Sequence, residues 1–311
     1  MHAKPENEIT LDRVLALTAL AAAGYYSYGW RIPLLCGLAA AAAMITELIC
    51  LYIRKIPFGF RHLDAAVTGI VLVMMMPPSV PFSVVIMSAI FAIITGRALF
   101  GGREHPVIPA AAVGYCFALL NFRQELTSFP AEFSVLPLYS KQNELAEGVT
   151  ALFNRTGKFT PYILDWLTGM PGQPIGTGSL VLLLVIAMVL ILRRSASGWV
   201  IVPMLTVLIT GGIMAARLRN PELHAVAACL TNQTLFAVIF LYGDPAYAPP
   251  HIAGVLYGML SAVVILLAEQ LCPAYDIPII IAVLFSPAAI FLRYLMSPAP
   301  DAIPKRTVKT P

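Results

Sequence analysis

Apolar residues in this chain are gathered into ten runs, at about 14–30, 32–53, 65–80, 82–100, 107–122, 178–193, 198–215, 224–242, 251–270 and 277–296, with polar residues largely confined to the intervals between them. A helix needs roughly 20 apolar residues to cross the hydrocarbon of a bilayer. The pattern therefore predicts an all-α integral membrane protein of about ten transmembrane helices, several of them short or proline-interrupted. One interval, 123–177, is long and polar. Loops of that length are usually functional or disordered. It divides the chain into a first five-helix repeat (1–122), an extracytoplasmic loop (123–177), a second five-helix repeat (178–297) and a tail (298–311). An odd number of crossings per half places the two repeats inverted in the membrane.

Each half contains an apolar run that ends in a proline-rich break. The first reads Met74-Met-Met-Pro77-Pro78-Ser-Val-Pro81 and the second Tyr242-Gly243-Asp244-Pro245-Ala-Tyr-Ala-Pro249-Pro250. Proline lacks the amide hydrogen that a helix interior requires. Matching interruptions in two halves point to broken helices near a central site. Backbone freed there must be covered by protein or water, not by lipid tails. The plainer alternative is a pair of proline loops at the membrane surface.

Composition agrees with the pattern. Hydrophobic residues make up 59% of the chain and charged residues 12%, about half the charged share of a soluble domain. Lysine and arginine are more frequent in the short intervals on the side of the N-terminus than on the other side, which predicts cytoplasmic termini and an extracytoplasmic 123–177 loop. Residues 1–13 mix both charge signs, unlike a signal peptide, so the first run is expected to remain as a span. Basic residues at membrane ends account for the net charge of +4 and give no reason to invoke nucleic acid. The five cysteines show no C-x-x-C spacing, and the five histidines form no pair of mid-membrane ligands, so neither an iron-sulfur cluster nor a haem is expected.

Ionisable residues at membrane depth are functional candidates by default. Glu47, inside Ala43-Met-Ile-Thr-Glu47-Leu-Ile-Cys50, can carry a proton, help bind Na⁺, or pair with Arg54. Asp64 and Asp244 stand at the edges of breaks, where a carboxylate can meet freed backbone amides. Arg97 suits a phosphate or carboxylate, or anchors its helix at the inner face.

Several stretches resemble the NqrB/RnfD family of membrane subunits from ion-translocating redox complexes. Leu63-Asp64-Ala-Ala-Val-Thr68-Gly69, continuing to Pro77-Pro78-Ser-Val-Pro81, is similar to its Thr-Gly then Pro-Pro segment. Thr95-Gly96-Arg97-Ala-Leu-Phe100-Gly101-Gly102 resembles its Gly-Lys-x-x-Phe-Gly-Gly element, and Pro106, Pro109-Ala110 and Gly114 follow in order. Pro171-Gly172 with Ile175-Gly176, His224, Phe240 to Pro245, and Gly254 to Gly258 complete the series. The asparagines usual around Phe-Gly-Gly are replaced by His105 and Ile108. The glutamate of the Gly-Glu-Thr-Ser element is missing at Thr177-Gly178, and the late asparagine is absent from Leu284-Phe-Ser286-Pro287. The chain is a divergent member on this reading.

The resemblance implies a covalent FMN, held by a phosphoester to Thr150 within Glu144-Leu-Ala-Glu147-Gly148-Val149-Thr150, with Glu144 where an aspartate is usual. Gly148 would give the backbone freedom at the attachment turn. Phe153, Phe159, Tyr162 and Trp166 would stack on the ring or anchor the loop at the interface. Arg97 is a candidate for a second, non-covalent flavin. The implied function is a flavin-bearing subunit in a prokaryotic inner membrane. It would pass electrons between a periplasmic FMN-carrying subunit and other Rnf/Nqr-type membrane subunits, helping to couple that flow to Na⁺ or H⁺ movement. A flavin transferase would be needed for maturation. A channel or carrier without flavin, and a cofactor-free scaffold, stay open as alternatives.

Overall fold

The computed structural model describes residues 5–100, 102, 106–130, 145–146, 173–219, 233–271, 274 and 276–296. The described chain is almost entirely helical. In the first half it forms α1 (Glu6–Tyr28), α2 (Arg31–Ile53), α3 (Asp64–Met74), α4 (Phe82–Ile93) and α5 (Ala110–Asn121). A short α6 (Arg123–Thr127) follows, and Phe129–Pro130 (β1) pairs antiparallel with Leu145–Ala146 (β2). The second half comprises α7 (Leu180–Leu192), α8 (Gly198–Arg219), α9 (Thr234–Ala237), α10 (His251–Leu271) and α11 (Ile277–Leu295).

Among the described residues, three helices are long and apolar enough to cross a membrane: Arg31–Ile53, His251–Glu269 and Ile277–Leu295. Shorter apolar helices lie at Asp64–Met74, Phe82–Ala98, Ala110–Asn121, Leu180–Leu192 and Gly198–Met214. Their outward faces carry large apolar side chains, among them Leu184, Met188, Leu267, Leu284 and Phe291. Apolar residues on every face of a helix are what a lipid surround allows.

Local sequence sets the helix ends. Pro5, Pro81 and Pro109 stand at the N-caps of α1, α4 and α5 in extended conformation, positions where the missing amide costs nothing. Gly29, at φ 74°, ends α1. At 11 residues α3 is about 16 Å long, roughly half the hydrocarbon thickness. It stops because Pro77 and Pro78 supply no amide and disfavour helical geometry in the residue before each. The resulting break is packed into the protein: Met74, Met75, Met76 and Val80 are fully buried. Arg31 of α2 covers its carbonyls, donating from Nε to Pro78 O (2.9 Å) and from Nη2 to Ser79 O (3.2 Å) and Val80 O (2.9 Å). The guanidinium also stacks over Phe82.

Close helix approach depends on small residues. A Cβ on Gly69 of α3 would lie 2.5 Å from the Ala39 carbonyl oxygen of α2, and one on Gly258 of α10 would lie 2.6 Å from Val200 O of α8. The segment Gln173–Thr177, after the long loop, wedges between the end of α3 and helix α9. Ile175 N donates to Met76 O (3.1 Å), and a Cβ on Gly176 would meet Met74 and Phe236 at 2.8 Å.

Candidate functional site

Two π-helical turns shape a cavity on the side where α1 begins. Ile94–Ala98 extends α4, and Val238–Tyr242 extends α9. A π turn widens a helix by one residue and often marks a functional site. Here the turns bring Gly96 and Arg97 from one half, and Phe240 and Leu241 from the other, to the wall of one space of about 400 Å³. Glu6, Thr10 and Arg13 of α1, Asp64 and Thr68 of α3, and Asp244 to Tyr247 complete its polar lining. The volume is within the range of small-molecule sites. Gly96 permits the geometry, since a Cβ there would meet Ala110 Cα at 2.5 Å.

The charges are arranged as two crossed pairs. Arg13 Nη2 lies 2.9 Å from Asp244 Oδ2, with both side chains 10% exposed, and also donates to Phe240 O at 3.2 Å. This pair ties the first helix of the chain to the second break. Asp244 Oδ1 accepts from Ala246 N at 3.0 Å, which fixes the carboxylate in its turn. Arg97 Nη2 meets Asp64 Oδ2 at 3.3 Å, at the N-terminus of α3, where the helix dipole favours a negative charge.

The two arginines differ in one respect. Arg97 is 5% exposed, yet its Nη1 has no hydrogen-bond partner. A buried donor left unsatisfied costs about 1–3 kcal/mol. The cavity thus presents a preformed cationic donor, suited to an oxygen-rich or anionic group. Tyr247, in the loop after the second π turn, is held above the ordinary phenol range by burial, then by the nearby Asp244 charge, so its hydroxyl stays protonated.

Three residues expected from sequence meet at this cavity: Arg97, Asp64 and Asp244. Glu47 does not line it. Its Oε1 sits 3.2 Å from His62 Nδ1, so its partner is His62 rather than Arg54. Thr150, Gly148 and Glu144 lie outside the described residues, as do Phe153, Phe159, Tyr162 and Trp166. Sequence reasoning missed Arg13 because the first span was expected to start at residue 14. The structure starts α1 at Glu6, placing Asp12 and Arg13 inside the helix bundle. Asp12, 4% exposed, is held by Arg193 Nε at 2.8 Å and by the Ser195 hydroxyl. An adjacent acid and base on an otherwise apolar helix was the available signal.

Fold and cavity together define a multi-pass, all-α membrane protein with broken helices and a charged site where its two halves meet. The chain belongs to the NQR2, RnfD, RnfE family, whose pattern it matches over residues 2–298. It is 30% identical over 141 residues to the RnfD protein of the ion-translocating oxidoreductase complex from Pectobacterium carotovorum, a match covering 42% of this chain and 40% of that protein. The proteins of the same name from Klebsiella pneumoniae and Escherichia coli are each 29% identical, over 136 and 138 residues. Those matches cover 42% of this chain and 39% of each relative. The matched region thus spans about two fifths of the length of the curated relatives.

Proposed function

We propose that this protein is the flavin-bearing membrane subunit of an Rnf/Nqr-type ion-translocating oxidoreductase complex. It sits in a prokaryotic inner membrane with cytoplasmic termini. It relays electrons between a periplasmic FMN-carrying subunit and neighbouring membrane subunits, and helps couple that flow to Na⁺ or H⁺ movement. Family membership supports the class. The observation that carries the flavin reading is the cavity donor Arg97 Nη1, buried and unpartnered between two ion pairs.

A non-covalent flavin would fit there because its carbonyl oxygens and ring nitrogens accept hydrogen bonds. Arg97 would donate to it, Tyr247 would line its edge, and the Arg13–Asp244 pair would keep the wall in place. A covalent FMN would be held by the Thr150 hydroxyl, with Gly148 and Glu144 serving the flavin transferase during attachment. The bound flavin supplies the electron transfer; the protein binds, orients and tunes it.

The test is co-expression with a flavin transferase, followed by mass spectrometry and in-gel flavin fluorescence. An FMN-sized adduct in the wild type that vanishes in Thr150→Ala is the expected result. Extractable flavin lost in Arg97→Met would place the second one. Neither adduct nor extractable flavin would overturn the flavin reading in favour of a channel, a carrier or a cofactor-free scaffold.

A further inference from the structure

The charged cavity has one wall built by the start of α1. Glu6, Ile9, Thr10 and Arg13 line it, at spacings of i, i+3, i+4 and i+7, so a single stripe of the helix faces the cavity. Burial rises along that stripe: Glu6 is exposed, Ile9 and Thr10 are half-buried, and Arg13 is 9% exposed. Asn7 and Leu11, turned away from the stripe, are both exposed.

The inner end of this wall is fastened from two sides. Asp12 is held by Arg193 Nε at 2.8 Å and by the Ser195 hydroxyl, and Arg13 by Asp244 at 2.9 Å and Phe240 O at 3.2 Å. Ser197 N donates to Gly243 O at 2.7 Å, so the turn at 193–197, the second break and α1 are tied to one another pairwise. These ties begin at Asp12. Within Glu6–Leu11 the Thr10 hydroxyl bonds back to Glu6 O in the same helix, and Ile9 is the apolar side chain that faces the cavity.

A helix end opens locally where little packing holds it. Pro5 at the N-cap offers no side-chain acceptor to the first amides, and Asn7, Ile9 and Thr10 are weak helix formers. Glu6 and Glu8 in the first turn favour the helix through its dipole, which makes the wound form the resting one. Unwinding from Glu6 to Leu11 stops at the Asp12–Arg13 anchor and opens the outer part of the cavity wall.

We propose that the opening turns of α1, Glu6–Leu11, are a gate: they unwind as far as Asp12 to admit a ligand to the charged cavity and rewind to enclose it. Asp12 and Arg13 are the fixed post, and Ile9 and Thr10 are the side chains that swing away. The gate rests on the cavity being a ligand site, as read above, and on no particular ligand.

The test uses the full-length chain, purified in detergent without flavin and carrying Val67→Cys, at a cavity-lining position that is 2% exposed. Labelling by N-ethylmaleimide is timed, and peptide mass spectrometry separates the introduced thiol from native Cys36, which is buried outside the cavity. Two versions are compared, Asn7→Ala with Leu11→Ala and Asn7→Gly with Leu11→Gly. Both positions face away from the cavity, so the pairs differ in helix stability and not in the lining. The introduced thiol should label at least tenfold faster in the glycine pair than in the alanine pair, while Cys36 labels alike in both. If the glycine pair does not fold, Asn7→Ala alone should slow labelling about twofold relative to its parent. Equal rates at the introduced thiol, or a parallel change at Cys36, overturn the gate. The labelling needs no flavin, so its outcome stays separate from that of the adduct experiment.

Discussion

Arg13→Met and Arg97→Met remove two guanidinium groups from the same cavity, and the structure predicts unlike costs. Arg13 faces Asp244 at 2.9 Å in surroundings where both side chains are 10% exposed. Removing it leaves a buried carboxylate without a counter-ion, and breaking such a pair costs about 3–5 kcal/mol. The hydrogen bond to Phe240 O is lost with it. Arg97 makes a longer contact, 3.3 Å, to an Asp64 side chain that is 20% exposed. A longer pair whose carboxylate keeps some solvent contributes less than the closer, more buried Arg13–Asp244 pair. Its unpartnered Nη1 is a liability of about 1–3 kcal/mol that methionine relieves. Arg97→Met is therefore expected within about 1 kcal/mol of the wild type, and Arg13→Met at least about 2 kcal/mol below it. Reversible denaturation in mixed micelles, followed by tryptophan fluorescence, ranks the two variants. Equal losses, or a larger loss for Arg97→Met, would refute the assignment of Arg13 to structure and Arg97 to ligand binding.

Other substitutions test the packing. Gly69→Ala and Gly96→Ala force a Cβ to within 2.5 Å of backbone atoms, so each should destabilise by about 1–3 kcal/mol in the same assay. Gly37→Ala meets nothing within 4 Å and should be neutral or stabilising by up to about 1 kcal/mol, which makes it the control. Arg31→Met uncovers the carbonyls of Pro78, Ser79 and Val80; a loss of at least about 2 kcal/mol is expected from charged hydrogen bonds of this kind. Wild-type stability in Arg31→Met would mean that water covers the break equally well. Ser195→Ala removes a donor to buried Asp12 and should cost about 1–3 kcal/mol, read from the denaturation midpoint.

Much of the architecture was legible in the one-dimensional pattern. Apolar run length gave the helical membrane class, because hydrocarbon leaves the backbone no partner but its own helix. Pro77-Pro78 announced the end of α3, since the missing amide acts within a few residues of itself. Asp64, Arg97 and Asp244 could be singled out one at a time, because a charge near apolar sequence is conspicuous wherever it falls. Their meeting could not be read. It depends on two π turns, each one residue out of helical register, and on α2 and α3 approaching closely enough for Gly69 to touch Ala39. Such distances are set by packing between segments far apart in sequence. Arg13 belongs to this second group: the neighbouring Asp12 could flag it in sequence, but its partner Asp244 lies in the other half of the chain and only packing brings the two together. Glu47 found His62 instead of Arg54 for the same reason. The sequence by itself determined the helical, apolar class and the proline breaks that end its helices; the tertiary structure alone decided which charges face one another. Local sterics and burial fix the first, whereas electrostatic pairing is chosen after the helices have packed.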